Sequence, residues 1–199
     1  QCIRELSYQE LRELSYMGAN VLHSESIFPV RSAGIPIRIC NTFRPSDEGT
    51  YIVASAKRRR EENAVTGIAG KKDFTVIFLE KSMMNGEIGF AARVLGILSR
   101  YGVSFEHLPS GIDTMSIFVN KESFEEKEQK ILADINKSVH PDHIELESDL
   151  ALIAVVGRGM KSTRGTAGRI FSALAHAHIN VKMIDQGSSE LNIIVGVKH

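Results

Sequence analysis

Cysteine is scarce in this chain of 199 residues, which contains only Cys2 and Cys40. Two cysteines are too few for a disulfide framework, and they lack the paired spacing of a zinc site. We therefore expect both to be reduced and structural. Long apolar runs are also missing, since stretches such as 150–156 are far shorter than the ~20 residues of a transmembrane helix. The N-terminus, QCIREL, has no signal-peptide core, so the sequence predicts a cytoplasmic location.

Neither sign of charge is in excess. Lys and Arg total 24, as do Asp and Glu, so no bulk charge attracts the chain to nucleic acid or to anionic lipid. The one basic cluster, 57–60, is followed directly by Glu61 and Glu62 and lies in a stretch with almost no large apolar side chains. A basic run can bind phosphate or RNA, but a solvated connector explains this one better. We predict a linker over 55–65, no nucleic-acid or membrane partner, and a partner that is a small molecule or another protein.

The N-terminal segment alternates helical and extended patterns. Apolar side chains at helical spacing predict a helix over residues 7–17, and a second amphipathic stretch follows at 20–30. Residues 35–39 alternate as a half-buried strand does, and 51–53 is another short apolar run after a turn. The sequence predicts a small mixed region over residues 1–54.

The most informative feature of the remaining chain is an internal repeat. Residues 89–119 align without a gap on residues 165–195. Each copy has a helical apolar stripe followed by two alternating stretches separated by a turn, which predicts helix, strand, turn, strand. An apolar run of strand composition precedes each copy, at 74–79 and at 150–156. Each unit is therefore predicted to begin β-α-β-β.

The first copy continues to a complete fold pattern. A polar helical stretch at 121–137 and a short strand near 143–147 complete the order βαββαβ, the split βαβ arrangement of ferredoxin-like folds. Helices would cover one face of an antiparallel sheet. The second copy ends at His199 without its last helix and strand, so either the chain is truncated there or the missing edge comes from elsewhere. The sequence predicts an α+β protein with modules at 66–147 and 148–199.

Two features of the first copy could bind an amino acid. The loop 82–89 leads into a helix start, where backbone amides favour an anionic group such as a carboxylate, and Glu106 on the second strand could accept hydrogen bonds from an ammonium group. The alternative is that Gly86 and Gly89 merely permit a turn and that Glu106 is an ordinary exposed residue. In the second copy the position of Glu106 is occupied by Lys182. We therefore expect the two modules to differ as ligand sites.

The other chemically interesting residues form no catalytic constellation. The segment 157–165, GRGMKSTRG, superficially resembles a glycine-rich phosphate loop, but its spacing does not match G-x-x-x-x-G-K-[ST]. We interpret it as a strand-to-helix loop. His176 and His178 are two apart on a predicted helix and point away from each other, and His140 and His143 flank a turn. We predict no catalytic residue and no metal site.

Three stretches of the sequence resemble aspartokinases. Residues 6–53 are similar to the end of that family's catalytic domain, with ELSYMGANVLH and IPIRICNTFRPSDEGT as the matching motifs. Residues 89–111 and 178–195 look like the family's paired ACT modules. The resemblance implies a fragment of an α/β amino-acid-kinase domain at 1–54, followed by tandem ferredoxin-like ACT modules with antiparallel sheets.

The family phosphorylates L-aspartate on its side-chain carboxylate with ATP, on the route to lysine, threonine and methionine, and end-product amino acids inhibit it. The early part of the catalytic domain is absent from this sequence. The resemblance therefore implies an inactive fragment without a cofactor, whereas the complete enzyme needs ATP and Mg²⁺. Asn20 stands where many relatives carry a lysine near the nucleotide, and a nucleotide contact would fall at this position.

The resemblance also places an effector site in the first module, at the helix start, on the second strand and in the following turn: Met84, Asn85, Glu87, Gly89, Phe90, Ala91, Phe105, Glu106, Ser110, Gly111, Ile112 and Asp113. In the family the ACT modules of two chains pack side by side around the effector, so a homodimer that senses lysine or threonine is expected. Two alternatives remain. One is a structural dimerisation module without a ligand, and the other is a subunit that complements a separate catalytic chain carrying the remainder of the kinase domain.

Overall fold

The computed structural model describes residues 3–19, 22, 24–54, 64–187 and 189–199. Cys2, Asn20 and residues 55–63 of the predicted linker lie outside the described residues. Cys40 is a free thiol and is exposed, so it is not a core residue. Within the described ranges no helix is long and apolar enough to cross a membrane.

The N-terminal segment forms a small mixed sheet with two helices. Its elements are β1 (Glu5–Ser7), α1 (Tyr8–Tyr16), α2 (Ser24–Ser32), β2 (Ile37–Ile39) and β3 (Thr50–Val53). In the order β1-β3-β2, β1 is parallel to β3 and β2 is antiparallel to it. Ser7 caps α1 and exchanges hydrogen bonds with Glu10 in a capping box. The sequence did not predict β1, because three residues are too few to show a period of two.

The rest of the chain contributes three further helices of three or more turns, a short helix and six strands among the described residues. They are β4 (Gly67–Glu80), α3 (Phe90–Arg100), β5 (Phe105–His107), β6 (Thr114–Asn120), α4 (Lys121–Phe124), α5 (Glu128–Val139), β7 (His143–Val156), α6 (Thr166–His176), β8 (Val181–Asp185) and β9 (Asn192–Lys198). The order along the larger sheet is β5-β6-β4-β7-β9-β8. The helix predicted over 121–137 is interrupted by a 3₁₀ turn at Glu125–Lys127.

The described chain divides into two compact units, each built from two separate stretches of sequence. One contains Gln1–Lys71 and Leu152–Val195, and the other contains Lys72–Ala151 and Gly196–His199.

The sequence predicted two strands, near 143–147 and at 150–156, but β7 is continuous. Since the residues between the two runs include neither glycine nor proline, nothing in the sequence interrupts the strand.

The unit that contains residues 72–151 has the predicted βαββαβ order, formed by β4, α3, β5, β6, α5 and β7. β6 lies antiparallel to β4, with Phe74 opposite Asn120 and Glu80 opposite Thr114, and β5 lies antiparallel to β6. The predicted α+β, ferredoxin-like fold is confirmed. The sheet and both helices contribute core side chains that are at most 1% exposed: Ile77, Leu79, Val94, Ile97, Leu98, Ile117, Val119, Ile131 and Ile135. Burying each such side chain contributes about 1.5–3 kcal/mol.

In the other unit, the first residues of β4 complete the sheet of the second copy. The amide of Thr66 donates to the carbonyl of Val156 at 2.8 Å, and β4 is the neighbour of β7 in the sheet order. The sequence left open whether the edge missing after His199 comes from elsewhere. Residues 67–71, which precede the first copy in sequence, supply a strand at this position.

Candidate functional site

The predicted effector residues lie around the start of α3. A 3₁₀ turn at Met84–Gly86 follows β4, and α3 begins after Gly89. Gly89 has a φ of 79°, a left-handed conformation that glycine adopts without strain. It makes no side-chain cap, and the first-turn amides of a helix have no acceptor within the helix. An anionic group is therefore favoured at this helix start.

Hydrogen bonds join the turn after β5 to the loop before α3. The amide of Asn85 donates to the carbonyl of Ile112 at 3.1 Å. The amide of Met84 donates to Oδ1 of Asp113 at 3.2 Å. Four of the predicted site residues are thus brought into direct contact, through main-chain groups and one carboxylate.

Ser110 and Gly111 shape the turn that carries Ile112. Ser110 pairs with Met115 in an isolated β-bridge, and the amide of Gly111 donates to the carbonyl of Thr114 at 2.8 Å. A Cβ atom at Gly111 would lie 2.6 Å from Oγ1 of Thr114, so the turn has no room for a larger residue there. The side chain of Ile112 is left 71% exposed.

Three charged side chains meet beside the helix start. Nζ of Lys81 lies 2.5 Å from Oε2 of Glu87, and the guanidinium of Arg93 pairs with the other carboxylate oxygen. The hydrogen bond from Lys81, supported by the charges of Lys81 and Arg93, lowers the pKa of Glu87. Nζ of Lys81 also donates to the carbonyl of Val139 at 2.5 Å. The charge of Lys81 also acts on the carboxylate of Asp142, so two cations face two carboxylates and the preference for an anion comes from the helix amides.

Phe105 and Glu106 lie on a different element, the strand β5 at the end of the sheet order. Phe105 is opposite Val119 and His107 is opposite Phe118, and the register shifts between these two pairs. Glu106 sits at this irregularity, and such bulges re-aim side chains at strand edges. Phe105 is 46% exposed, and Glu106 is half-buried. The candidate site therefore combines two joined loops with residues of an edge strand.

Met84 and Phe90 are members of the hydrophobic core. They are 7% and 3% exposed, respectively, and Ala91 packs against the same core. Their side chains are therefore engaged in packing. A ligand could contact Met84 and Phe90 only through their main-chain atoms.

Sequence reasoning missed three residues that organise the site, Lys81, Arg93 and Asp142. Lys81 and Arg93 hold Glu87, and Arg93 was detectable because the arginine is identical in both copies of the repeat. The amide and Oγ of Ser82 donate to Oδ2 of Asp142 at 2.7 and 2.8 Å, which lowers the pKa of that carboxyl group. No local pattern could indicate a contact between residues 60 positions apart.

The second copy has the same helix start but a different site. α6 begins after Gly165, whose φ is 79°, as α3 begins after Gly89. However, the counterpart of Glu106 is Lys182 on β8, which repels an ammonium group. In the part of the chain that the structure describes, no cluster of three His, Cys, Asp or Glu side chains could hold a metal ion.

Comparison with known proteins shows which families the chain is similar to. The profile of the ACT domain matches residues 153–199. Aspartokinase 3 of Bacillus subtilis is 44% identical over 197 residues, which are 98% of this chain and 43% of that protein. The crystal structure of Clostridium acetobutylicum aspartate kinase has a TM-score of 0.91 at 50% identity and covers 100% of this chain and 45% of that one. E. coli aspartokinase III in complex with lysine and aspartate has a TM-score of 0.77 at 23% identity over 100% of this chain and 43% of that one, a likeness of fold alone.

The ferredoxin-like repeat and the matching profile define an ACT-type module. Over nearly its whole length the chain is similar to aspartokinases. It spans less than half the length of the relatives named above.

Proposed function

We propose that this chain is the regulatory region of an aspartokinase and that it binds a free amino acid, lysine or threonine, at the start of α3. The observation that carries the proposal is the pairing of a helix start that has no side-chain cap with a loop fixed by Asn85, Ile112 and Asp113. Similarity to aspartokinases over 98% of the chain makes an end-product amino acid the appropriate ligand. A structure of E. coli aspartokinase III contains lysine, so lysine is the first of the two ligands to test.

The chemistry of an α-amino acid matches the two parts of the site. Its carboxylate would accept hydrogen bonds from amides at the start of α3, beside Lys81 and Arg93. Its ammonium group would pair with the carboxylate of Glu106 on β5. Because Met84 and Phe90 are buried, they would contribute main-chain contacts, and the exposed Ile112 would cover the ligand.

In the complete enzyme, the regulated reaction is the transfer of a phosphoryl group from ATP to the side chain of L-aspartate, with ATP and Mg²⁺ bound by the catalytic domain. An effector that prefers one arrangement of the enzyme by about 1–3 kcal/mol is sufficient to shift its population. We place this biosynthetic enzyme in the cytoplasm, where ATP and amino acids are available.

We further propose that the chain forms a homodimer through the unit that contains the site. Four large apolar side chains on its loops and edge strand are exposed: Met83 at 78%, Ile88 at 96%, Phe105 at 46% and Ile112 at 71%. Exposed apolar groups concentrated on the elements of one site are typical of an interaction surface. An edge strand such as β5 can also pair with another chain.

Isothermal titration of this chain with lysine, threonine and methionine tests the proposal. We expect saturable binding of lysine or threonine. Glu106→Ala should weaken it by about 10-fold to 150-fold, because a hydrogen bond to a charged group contributes about 1.5–3 kcal/mol. Glu145→Ala, which removes an exposed carboxylate from β7, is the matched control and should bind as the parent does.

The alternatives predict other results. A dimer that is folded yet binds none of the three amino acids would support the structural module and overturn the sensor. Equal weakening by Glu106→Ala and Glu145→Ala would move the ligand away from the proposed site. Aspartyl phosphate formation on mixing with a catalytic chain that is inactive by itself would support the complementing subunit.

A further inference from the structure

Glu10 on α1 is a carboxylate buried with 0% exposure, and its hydrogen bonds reach far beyond its own helix. Oε2 accepts from the amide and the hydroxyl of Ser7 at 2.9 and 2.7 Å. Oε1 accepts from Oγ1 of Thr66 at 2.6 Å and from the amide of Arg158 at 3.3 Å. Nε of Arg158 lies 3.8 Å from Oε2. The carboxylate therefore joins three segments of the chain.

Helix capping accounts for only half of these contacts. A capping box needs Ser7 and Glu10 alone, and its glutamate can remain in water. Burial of a charge is costly unless its hydrogen-bonding capacity is filled, and here the remaining capacity is filled by Thr66 and Arg158, which are 56 and 148 residues away. The additional bonds hold α1 against the start of β4 and against the turn that follows β7.

The turn after β7 is itself in tight contact with residues 64–66, which lead into β4. A Cβ atom at Gly157 would lie 2.2 Å from the carbonyl oxygen of Ala64, and one at Gly159 would lie 2.9 Å from the Cα of Ala64. The glycines that superficially resembled a phosphate loop thus allow two backbones to approach closely. Because the turn and residues 64–66 are in such close contact, a shift of one requires a shift of the other.

We propose that Glu10 is a coupling residue that makes α1 of the N-terminal segment and the turn 157–163 of the second copy open as one unit. This turn occupies the position in the second copy that the effector loop occupies in the first. In the second copy, the turn would not bind a ligand. It would transmit movements of the second copy to α1 in the N-terminal segment. The inference rests on the contacts of Glu10 and does not depend on the identity of the effector.

Hydrogen exchange of the 199-residue chain, measured with a probe mutation that does not touch Glu10, tests this coupling. Arg12→Gly weakens α1 at an exposed position and should raise the exchange of its amides about fivefold, the usual effect of glycine in a helix. With Glu10 present, we expect the same mutation to raise exchange of Arg158, Met160 and Thr163 by a similar factor. In a Glu10→Gln background, Arg12→Gly should raise exchange in α1 alone.

A matched control and a second variant keep the test decisive. Lys130→Gly, at an exposed position of α5, should leave exchange in α1 and in the turn unchanged. If Glu10→Gln does not fold, Thr66→Val removes only one of the hydrogen bonds and should reduce the transmitted effect. Exchange that rises in α1 alone with Glu10 present would overturn the proposal, as would transmission that persists undiminished in both variants.

Discussion

Among single residues, Glu10 provides a direct link between ionisation and stability. Burial raises its pKa, but the hydrogen bonds from Thr66, Ser7 and Arg158 together outweigh burial and lower the pKa below its ordinary value of 4.5. Such a group stabilises the fold above its unfolded pKa, and this stabilisation is lost as the pH falls through the folded pKa. We expect Glu10→Gln to lower the free energy of unfolding by about 1.5–3 kcal/mol at neutral pH. The difference should shrink below pH 4.5, as measured by urea unfolding.

The comparison between parent and variant is needed because other carboxyl groups also titrate. The pKa values of Glu87 and Asp142 are lowered by their bonds to Lys81 and Ser82, respectively, so the parent loses stability in acid for several reasons. Only the difference in the free energy of unfolding between the parent and Glu10→Gln isolates the contribution of Glu10. A difference that stays constant from neutral pH into strong acid would mean that the shape of the side chain matters and its charge does not.

At the scale of elements, two glycines of the second copy test different effects. Gly157 tests close contact between backbones, and Gly168 tests helix propensity. Gly157→Ala forces a methyl group against the backbone of residues 64–66, and overpacking of this kind costs about 1–3 kcal/mol or more. Gly168 lies within α6 and has no atom near its would-be Cβ. Gly168→Ala should therefore stabilise the chain by about 0.5–1 kcal/mol. Thermal unfolding measures both, and destabilisation of equal size by the two changes would contradict this account.

Elements with strong local periodicity could be predicted from the sequence, whereas their breaks and partners could not. The stripe of Val94, Ile97 and Leu98 identified α3, and all three are buried. The 3₁₀ interruption at Glu125–Lys127 was not predictable, because glutamate and lysine both favour a helix. For the candidate site, the residue types in the sequence were sufficient to predict Glu106 and the loop before α3. The partners Lys81 and Asp142 depend on contacts that no local pattern contains.

At the scale of the whole molecule, sequence order and spatial order differ. The strand at 67–71 that completes the second copy precedes the first copy in sequence, so the repeat pattern of contiguous segments does not contain it. Strand pairing depends on partners far apart in sequence, and the pairing of Thr66 with Val156 is of this kind. The arrangement connects the N-terminal segment along the chain to the second copy through β4. A displacement of the N-terminal segment can therefore reach the second copy without passing through the first copy.

The proposed homodimer makes a prediction about the complete chain in solution. Ile112→Asp places a charge on the exposed apolar surface of the site unit and should weaken dimerisation by at least about 30-fold, because an unpaired charge in an interface costs about 2 kcal/mol or more. Ile68→Asp alters another isoleucine of similar exposure, 67%, on the part of β4 that belongs to the other unit, and should leave the dimer intact. Sedimentation velocity over a range of concentrations distinguishes the two. A dimer that survives Ile112→Asp but dissociates with Ile68→Asp would place the interface on the other unit and would separate the effector site from dimerisation.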